Sequence, residues 1–210
     1  MQDRAAATRR AIIEAAARLF DELGYAATSI SGVVSATGFT SGAVYFHFRN
    51  KEGLARAVVE AYHDSWPTTV ARYTALDGSV LTRTVALSLA VARGYREDPI
   101  VRAGSRLWFE RKAMSSPLPT PFVRWIGVTE QLLTTARDSG ELDTDADLKR
   151  FSQVLVAGFF GTFSVAEALE AQREMESRVL DLWSAFLPGL GVTDTQAVLA
   201  EAAALNAAAT

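Results

Sequence analysis

The chain of 210 residues contains no cysteine. That excludes a disulfide framework, a thiolate-bound metal and a cysteine nucleophile. Histidine occurs twice, at His47 and His63, too far apart in sequence for paired metal-ligand spacing. There is no H-E-x-x-H, no G-x-S-x-G and no phosphate loop. LPGLG at 187–191 reads as a turn, and Asp143 with Asp145 sits in an expected loop as solvated carboxylates. No catalytic residue, metal or cofactor is therefore expected. The start, MQDRAAATRR, is polar and charged with no secretory apolar core behind it. The longest apolar run, VLVAGFFGTFSVA at 154–166, is short for a bilayer span. These absences lead to the expectation of a soluble cytoplasmic protein with no membrane partner. Strand-like alternation persists nowhere, and no internal repeat is visible.

What is present is helix after helix. Hydrophobic residues make up 49% of the chain, enough for a substantial core. In the first segment Ile12, Ala16, Leu19, Phe20 and Leu23 form one apolar stripe, with Thr8 placed to cap its start and Gly24 to stop it. A short second helix follows in TSISGVVSATG, capped by Thr28 or Ser29 and ended at Gly38. Thr40 caps a third, and Asn50 a fourth that runs from Lys51 to about Ser65, closed by Trp66-Pro67. Longer helices are predicted over 79–95, from Asp98-Pro99 through Arg111, over 122–139, 146–170 and 173–187. A Pro-rich break, SSPLPTP, occupies 115–121. The fold class is all-α: a three-helix head on a larger helical body, divided as 1–55 and 56–210.

Net charge is −3, which alone disfavours a polyanionic partner, but its distribution is uneven. Residues 1–58 carry seven Lys and Arg against five Asp and Glu, and the acidic excess lies beyond them. Within that head, TGFTSGAVYFHFRNKEGLA sets Tyr45, Phe46, His47 and Phe48 side by side. At 100° per residue Val44 and Phe48 share one face of the third helix, and Gly42, Ala43 and Phe46 fall opposite. Two short helices joined by a tight Gly-containing turn match a helix-turn-helix, whose second helix enters the major groove of double-stranded DNA. Gly42 and Ala43 would let the backbone approach base edges, and Phe46 could touch a thymine methyl. Thr40, Tyr45, His47 and Lys51 could each bond a phosphate. Thr28 and Ser41 complete the candidate DNA-facing set. Periodicity alone equally allows Phe46 to be a core ring and Tyr45 a boundary residue.

These residues carry a resemblance. RRAIIEAAARLFDELGYAAT followed by TSISGVVSATGFTSGAVYFHFRNKEGLARAVVE resembles the DNA-binding head of the TetR family of repressors. The shared features are A-A-x-x-L-F-x-x-x-G-Y, G-x-x-x-G-A-x-Y-x-H-F and K-E-x-L. The resemblance implies a recognition helix at Thr40–His47, phosphate contacts from Tyr45 and His47, and a further one from Lys51. It also implies a homodimer that reads a palindrome. Ser41 stands where many relatives have lysine, which removes a cation from that helix.

In the body, DPIVRAGSRLWFE and PLPTPFVRWIGVTEQLL are similar to receptors for γ-butyrolactones and related furan or butenolide signals. That similarity implies a pocket tryptophan at Trp125 and a small hydrophobic signalling molecule as effector. Trp125 and Thr129 lie one helical turn apart, and Leu87, Phe159, Thr162 and Phe163 are candidate lining residues. Ordinary core packing explains Phe159 and Phe163 equally well. Arg102 and Arg106 read as surface or ion-paired. For dimerisation the stripes are Leu148, Phe151, Leu155, Phe159, Thr162, Val165 and Leu169, then Val179, Leu182, Trp183 and Phe186. Gly158 and Gly161 would permit close approach. Two other functions stay open: a regulator of efflux or metabolism responding to an unrelated hydrophobic ligand, and a helical ligand-binding protein without a DNA role.

Overall fold

A computed structural model describes residues 2–209, and among them all regular structure is helical. The helices are α1 (Gln2–Ala27), α2 (Ile30–Thr37), α3 (Ser41–His47), α4 (Lys51–Thr74), α5 (Val80–Glu97), α6 (Pro99–Phe109), α7 (Pro121–Asp138), α8 (Leu148–Ala168), α9 (Met175–Phe186) and α10 (Thr195–Ala208). They form two compact units. The first comprises residues 1–66 and 97–120, the second 67–96 and 121–210. Compactness thus divides the chain differently from 1–55 and 56–210, because α6 and the Pro-rich segment after it belong with the first helices.

Helix ends follow local chemistry. Ser29 caps α2 by accepting the Gly32 N–H, and Gly38 closes it with a left-handed φ of 68°. Thr40 caps α3, Asp98 α6, Asp147 α8 and Asp194 α10, each accepting an orphan backbone N–H. Glu141 caps α5 from a distance, its two carboxylate oxygens accepting the Val80 and Leu81 N–H groups at 2.9 Å each.

Two boundaries differ from the sequence reading. Helix α1 begins at Gln2, so Thr8 caps nothing; its hydroxyl donates to the Arg4 carbonyl inside the helix. Gly24 does break the helix, with φ 77° and ψ 176°, but helical turns resume on its far side up to Ala27. Helix α4 does not stop at Trp66-Pro67 and continues to Thr74. Proline removes one ladder hydrogen bond, and at the exposed Pro67 the surrounding turns sustain the helix.

In the first unit Ile12, Phe20, Val33, Val44, Leu54 and Val58 are fully enclosed. Helix α6 packs along α1 and reaches α4 through Gly104, where an added Cβ would stand 2.6 Å from Cβ of Tyr62. The Pro-rich segment is tied down as well. Arg56 donates to the Pro117 carbonyl at 2.8 Å, and Glu52 accepts the Ser116 N–H at 2.6 Å. Hydrogen bonds from the Ser116 side chain and backbone, with Ser115 adding to them, hold the Glu52 carboxyl below its usual range.

In the second unit a polar chain, buried at Tyr73 and Asn206 and half-buried beyond them, joins four helices. Tyr73 donates to Asn206 at 2.6 Å, Asn206 to Glu176 at 3.4 Å, and Glu176 pairs with Arg93 and Arg96. Helix α8 is long and apolar enough on its own to cross a bilayer, longer than the 154–166 run suggests. Here its buried residues, Leu155, Val156, Phe160 and Phe163 among them, pack inside the unit.

Gly104→Ala should lower stability by about 2 kcal/mol through overpacking against Tyr62. A thermal melt showing no loss would contradict the close approach of α6 to α4.

Candidate nucleic-acid interface and ligand cavity

Helix α3 hangs on two side chains. Val44 is fully buried and Phe48, at its C-terminal end, nearly so, with Arg9 over the Phe48 ring at 5.3 Å. The opposite face is left open. Phe46 is 82% exposed and Tyr45 53% exposed, with Ser41 and Gly42 exposed beside them. Phe46 is therefore not a core ring. Its nearest aromatic neighbour is the half-buried His47, edge-on at 5.2 Å. Ala43 is half-buried, and the Thr40 hydroxyl oxygen accepts the Ala43 N–H at 3.2 Å. Thr40, Ser41, Gly42, Tyr45 and Phe46 thus share one uncovered surface, which presents hydroxyls, bare backbone and an aromatic ring.

Thr28 does not belong to that surface. It is 3% exposed, and its hydroxyl donates to the Gly24 carbonyl at 2.8 Å. The Gly24 carbonyl also accepts the Thr28 N–H at 3.3 Å, and the Leu19 carbonyl lies 3.1 Å from the same hydroxyl, so Thr28 is spent on the backbone around the break. Lys51 is also engaged internally. Its ammonium donates to the Tyr25 and Ala26 carbonyls at 2.8 and 3.1 Å and sits 4.4 Å from the Tyr25 ring centre.

The second unit holds a partly open, apolar cavity of about 50 Å³. Trp125 and Thr129 of α7, Leu87 of α5 and Phe159 of α8 line it, as expected from the sequence. Phe163 and Thr162 do not. Phe163 turns onto Tyr95, ring centres 4.1 Å apart, and is buried there. Thr162 donates to the Gly158 carbonyl and faces an outer groove beside Arg178 and Asp181.

Sequence reading missed Thr84, Ser88, Val91, Val128, Leu132, Leu155, Val156, Phe160, Leu182 and Trp183. Spacing marked several of these as apolar but could not say which faced a void. Among the described residues no charged side chain lines the cavity. Two of its hydroxyls are directed by bonds to the backbone. Ser88 donates to the Val85 carbonyl at 2.6 Å and accepts the Trp183 indole N–H at 2.7 Å. Thr84 donates to the Val80 carbonyl at 2.8 Å. Both hydroxyls therefore turn lone pairs, not protons, to an occupant.

Arg102 and Arg106 are ion-paired, with Asp21 at 2.8 Å and Glu110 at 2.9 Å. The expected dimer stripes divide: Leu148, Leu155, Val179 and Trp183 are buried, Val165 and Leu169 are exposed, and Phe151 packs edge-on against Phe186 at 5.4 Å. The uncovered apolar face of α8 carries Val154, Ala157, Gly161, Val165 and Ala168, and shares Val165 with the expected stripe.

Residues 12–58 match the family model of bacterial regulatory proteins, tetR family, and residues 78–192 that of the tetracyclin repressor-like C-terminal domain. The chain belongs to the TetR family. Among TetR-family relatives, the A-factor receptor protein of Streptomyces griseus is 31% identical over 90% of this chain. The chain spans 66% of that relative's length. A solved γ-butyrolactone receptor, described as ArpA-like, is 30% identical, with TM-score 0.78 over 97% of this chain and 99% of its own. CprB of Streptomyces coelicolor, solved with its operator, is 32% identical, with TM-score 0.82 over 97% and 98%.

Phe46→Ala should leave the melting temperature unchanged and weaken operator binding by about tenfold. Thr28→Ala should do the opposite, costing about 1 kcal/mol of stability for the lost buried hydroxyl bond. Melts and gel shifts on both variants separate the two roles.

Proposed function

We propose that this chain is a dimeric, ligand-responsive repressor that binds a pseudo-palindromic DNA operator and is released from it by a small, uncharged signal of the γ-butyrolactone, furan or butenolide type. The observation that carries the DNA role is the outer face of α3. A helix anchored by Val44 and Phe48 leaves a large aromatic side chain and bare glycine in solvent. Such exposure is wasteful in an isolated fold and suits a partner surface. Tyr45, His47, Thr40 and the remaining N–H of Lys51 supply phosphate contacts, and Gly42, Ala43, Ser41 and Phe46 approach the bases. The division of labour is a DNA-reading head at 1–55 and a ligand-binding, dimerising body at 56–210, in a cytoplasmic protein. The A-factor receptor and the γ-butyrolactone receptors support the class of signal.

The cavity narrows that class. A carboxylate placed there would lose its hydration, meet no cation and face the lone pairs of Ser88 and Thr84. A neutral lactone or ester with an alkyl tail loses little on entry, and a hydroxyl on it would find acceptors. Occupancy favours the state with lower operator affinity, and the coupling equals the difference in ligand affinity between the two states. Helix α4 is the covalent route, since it belongs to the first unit up to Trp66 and to the second from Pro67.

The test is a gel shift on DNA upstream of the chain's own gene, titrated with an alkyl γ-butyrolactone, an alkylfuran carboxylic acid and its methyl ester. Lactone and ester should release the DNA at least about tenfold more effectively than the free acid at neutral pH. Release by none of the three would leave an unrelated apolar effector as the reading. A log–log salt titration that gives no steep fall in affinity would remove the DNA role itself.

A further inference from the structure

The break in α1 is held from two sides. On one side, the Glu110 carboxylate accepts the Tyr25 N–H at 2.6 Å, the first free donor beyond Gly24. Its other oxygen pairs with Arg106, whose guanidinium donates to the Asp21 carbonyl at 2.5 Å and reaches the Glu22 carbonyl at 3.4 Å. Arg106 thus closes the last carbonyls before the break, and Glu110 the first N–H after it. A side chain at Gly24 would strike both partners, since its Cβ would lie 2.8 Å from each. On the other side, Lys51 closes the Tyr25 and Ala26 carbonyls.

One peptide segment therefore links a carboxylate at the end of α6 to an ammonium at the start of α4. Tyr25 receives Glu110 at its nitrogen and Lys51 at its oxygen.

We propose that Glu110 is a positioning residue for operator binding: by fixing the Tyr25 peptide it fixes the place of the Lys51 ammonium, without touching DNA itself. The inference rests on the DNA-binding reading. Lys51 opens α4 only a few residues beyond the exposed face of α3, and two of its three N–H groups are held by carbonyls whose position depends on the break. Without the bond to Glu110, the Tyr25 N–H seeks the nearest carbonyl of α1, the segment rotates, and Lys51 loses its seat. A lysine freed in this way keeps its charge but not its place, so the loss appears in affinity and in the number of ions released.

The experiment uses the full chain and the upstream DNA of its own gene. Glu110→Asp keeps the charge for Arg106 but is one methylene short of the Tyr25 N–H. It should weaken binding by roughly fivefold and lower the slope of log affinity against log salt by about one. Glu110→Gln loses the charge but keeps an acceptor of full length, and should bind within about twofold of the parent. In a Lys51→Ala background, Glu110→Asp should add nothing further to either quantity. Melting curves confirm that each variant is folded. Parent-like affinity and slope in Glu110→Asp would overturn the proposal, as would Glu110→Gln being as weak as Glu110→Asp. If the parent chain binds no DNA even at low salt, the DNA-binding reading fails first, and the proposal with it.

Discussion

Helix α6 has no side chain at Gly104, and the Tyr62 ring of α4 fills that space. Much of the first unit depends on this close approach. It brings α6 near enough to lie along α1, so that Arg102, Arg106 and Glu110 reach Asp21 and the backbone around Gly24. It also explains why the compact head is not simply the first three helices. Residues far along the chain complete it, and the Pro-rich segment after α6 is bonded back to α4 through Arg56 and Glu52. Part of the body in sequence is thus part of the head in space.

The head was largely legible before the structure. A seven-residue helix with Val44 and Phe48 one turn apart can bury only one face, and the cap residues Ser29, Thr40 and Asn50 mark its surroundings by chemistry that needs no tertiary information. What local chemistry could not reveal was competition for the same group. Thr28 and Lys51 have the right types for phosphate contact. Around the break at Gly24 both side chains turn instead to backbone carbonyls that only a folded neighbourhood brings within reach. Arg106 and Glu110 show the same limit, because a bond across 85 positions leaves no trace in spacing.

In the body, periodicity was less informative because α8 is apolar nearly all round. Leu155 and Phe160 point inward and Val154 and Val165 outward, yet all are large and hydrophobic. A stripe can be drawn along either face, and the one chosen from sequence crossed from the buried Leu148 and Leu155 to the exposed Val165 and Leu169. The small residues Ala157, Gly161 and Ala168 mark the outer face, a sign of a surface shaped for close approach. The cavity was legible in part for the opposite reason. Trp125 and Thr129 were tied together by one helical turn. Thr162 and Phe163 fell beside the void because a helix lining a cavity exposes only a narrow arc to it.

Ser88 and Trp183 give the cavity a property unrelated to recognition. The chain has four tryptophans, of which Trp125 and Trp183 line the void. The indole N–H of Trp183 is fixed on the Ser88 oxygen in otherwise apolar surroundings. Indole emission responds to polarity and to the hydrogen bond at its nitrogen. Filling or emptying this space therefore alters the protein's own fluorescence, and the chain carries an optical gauge of its occupancy without any added label.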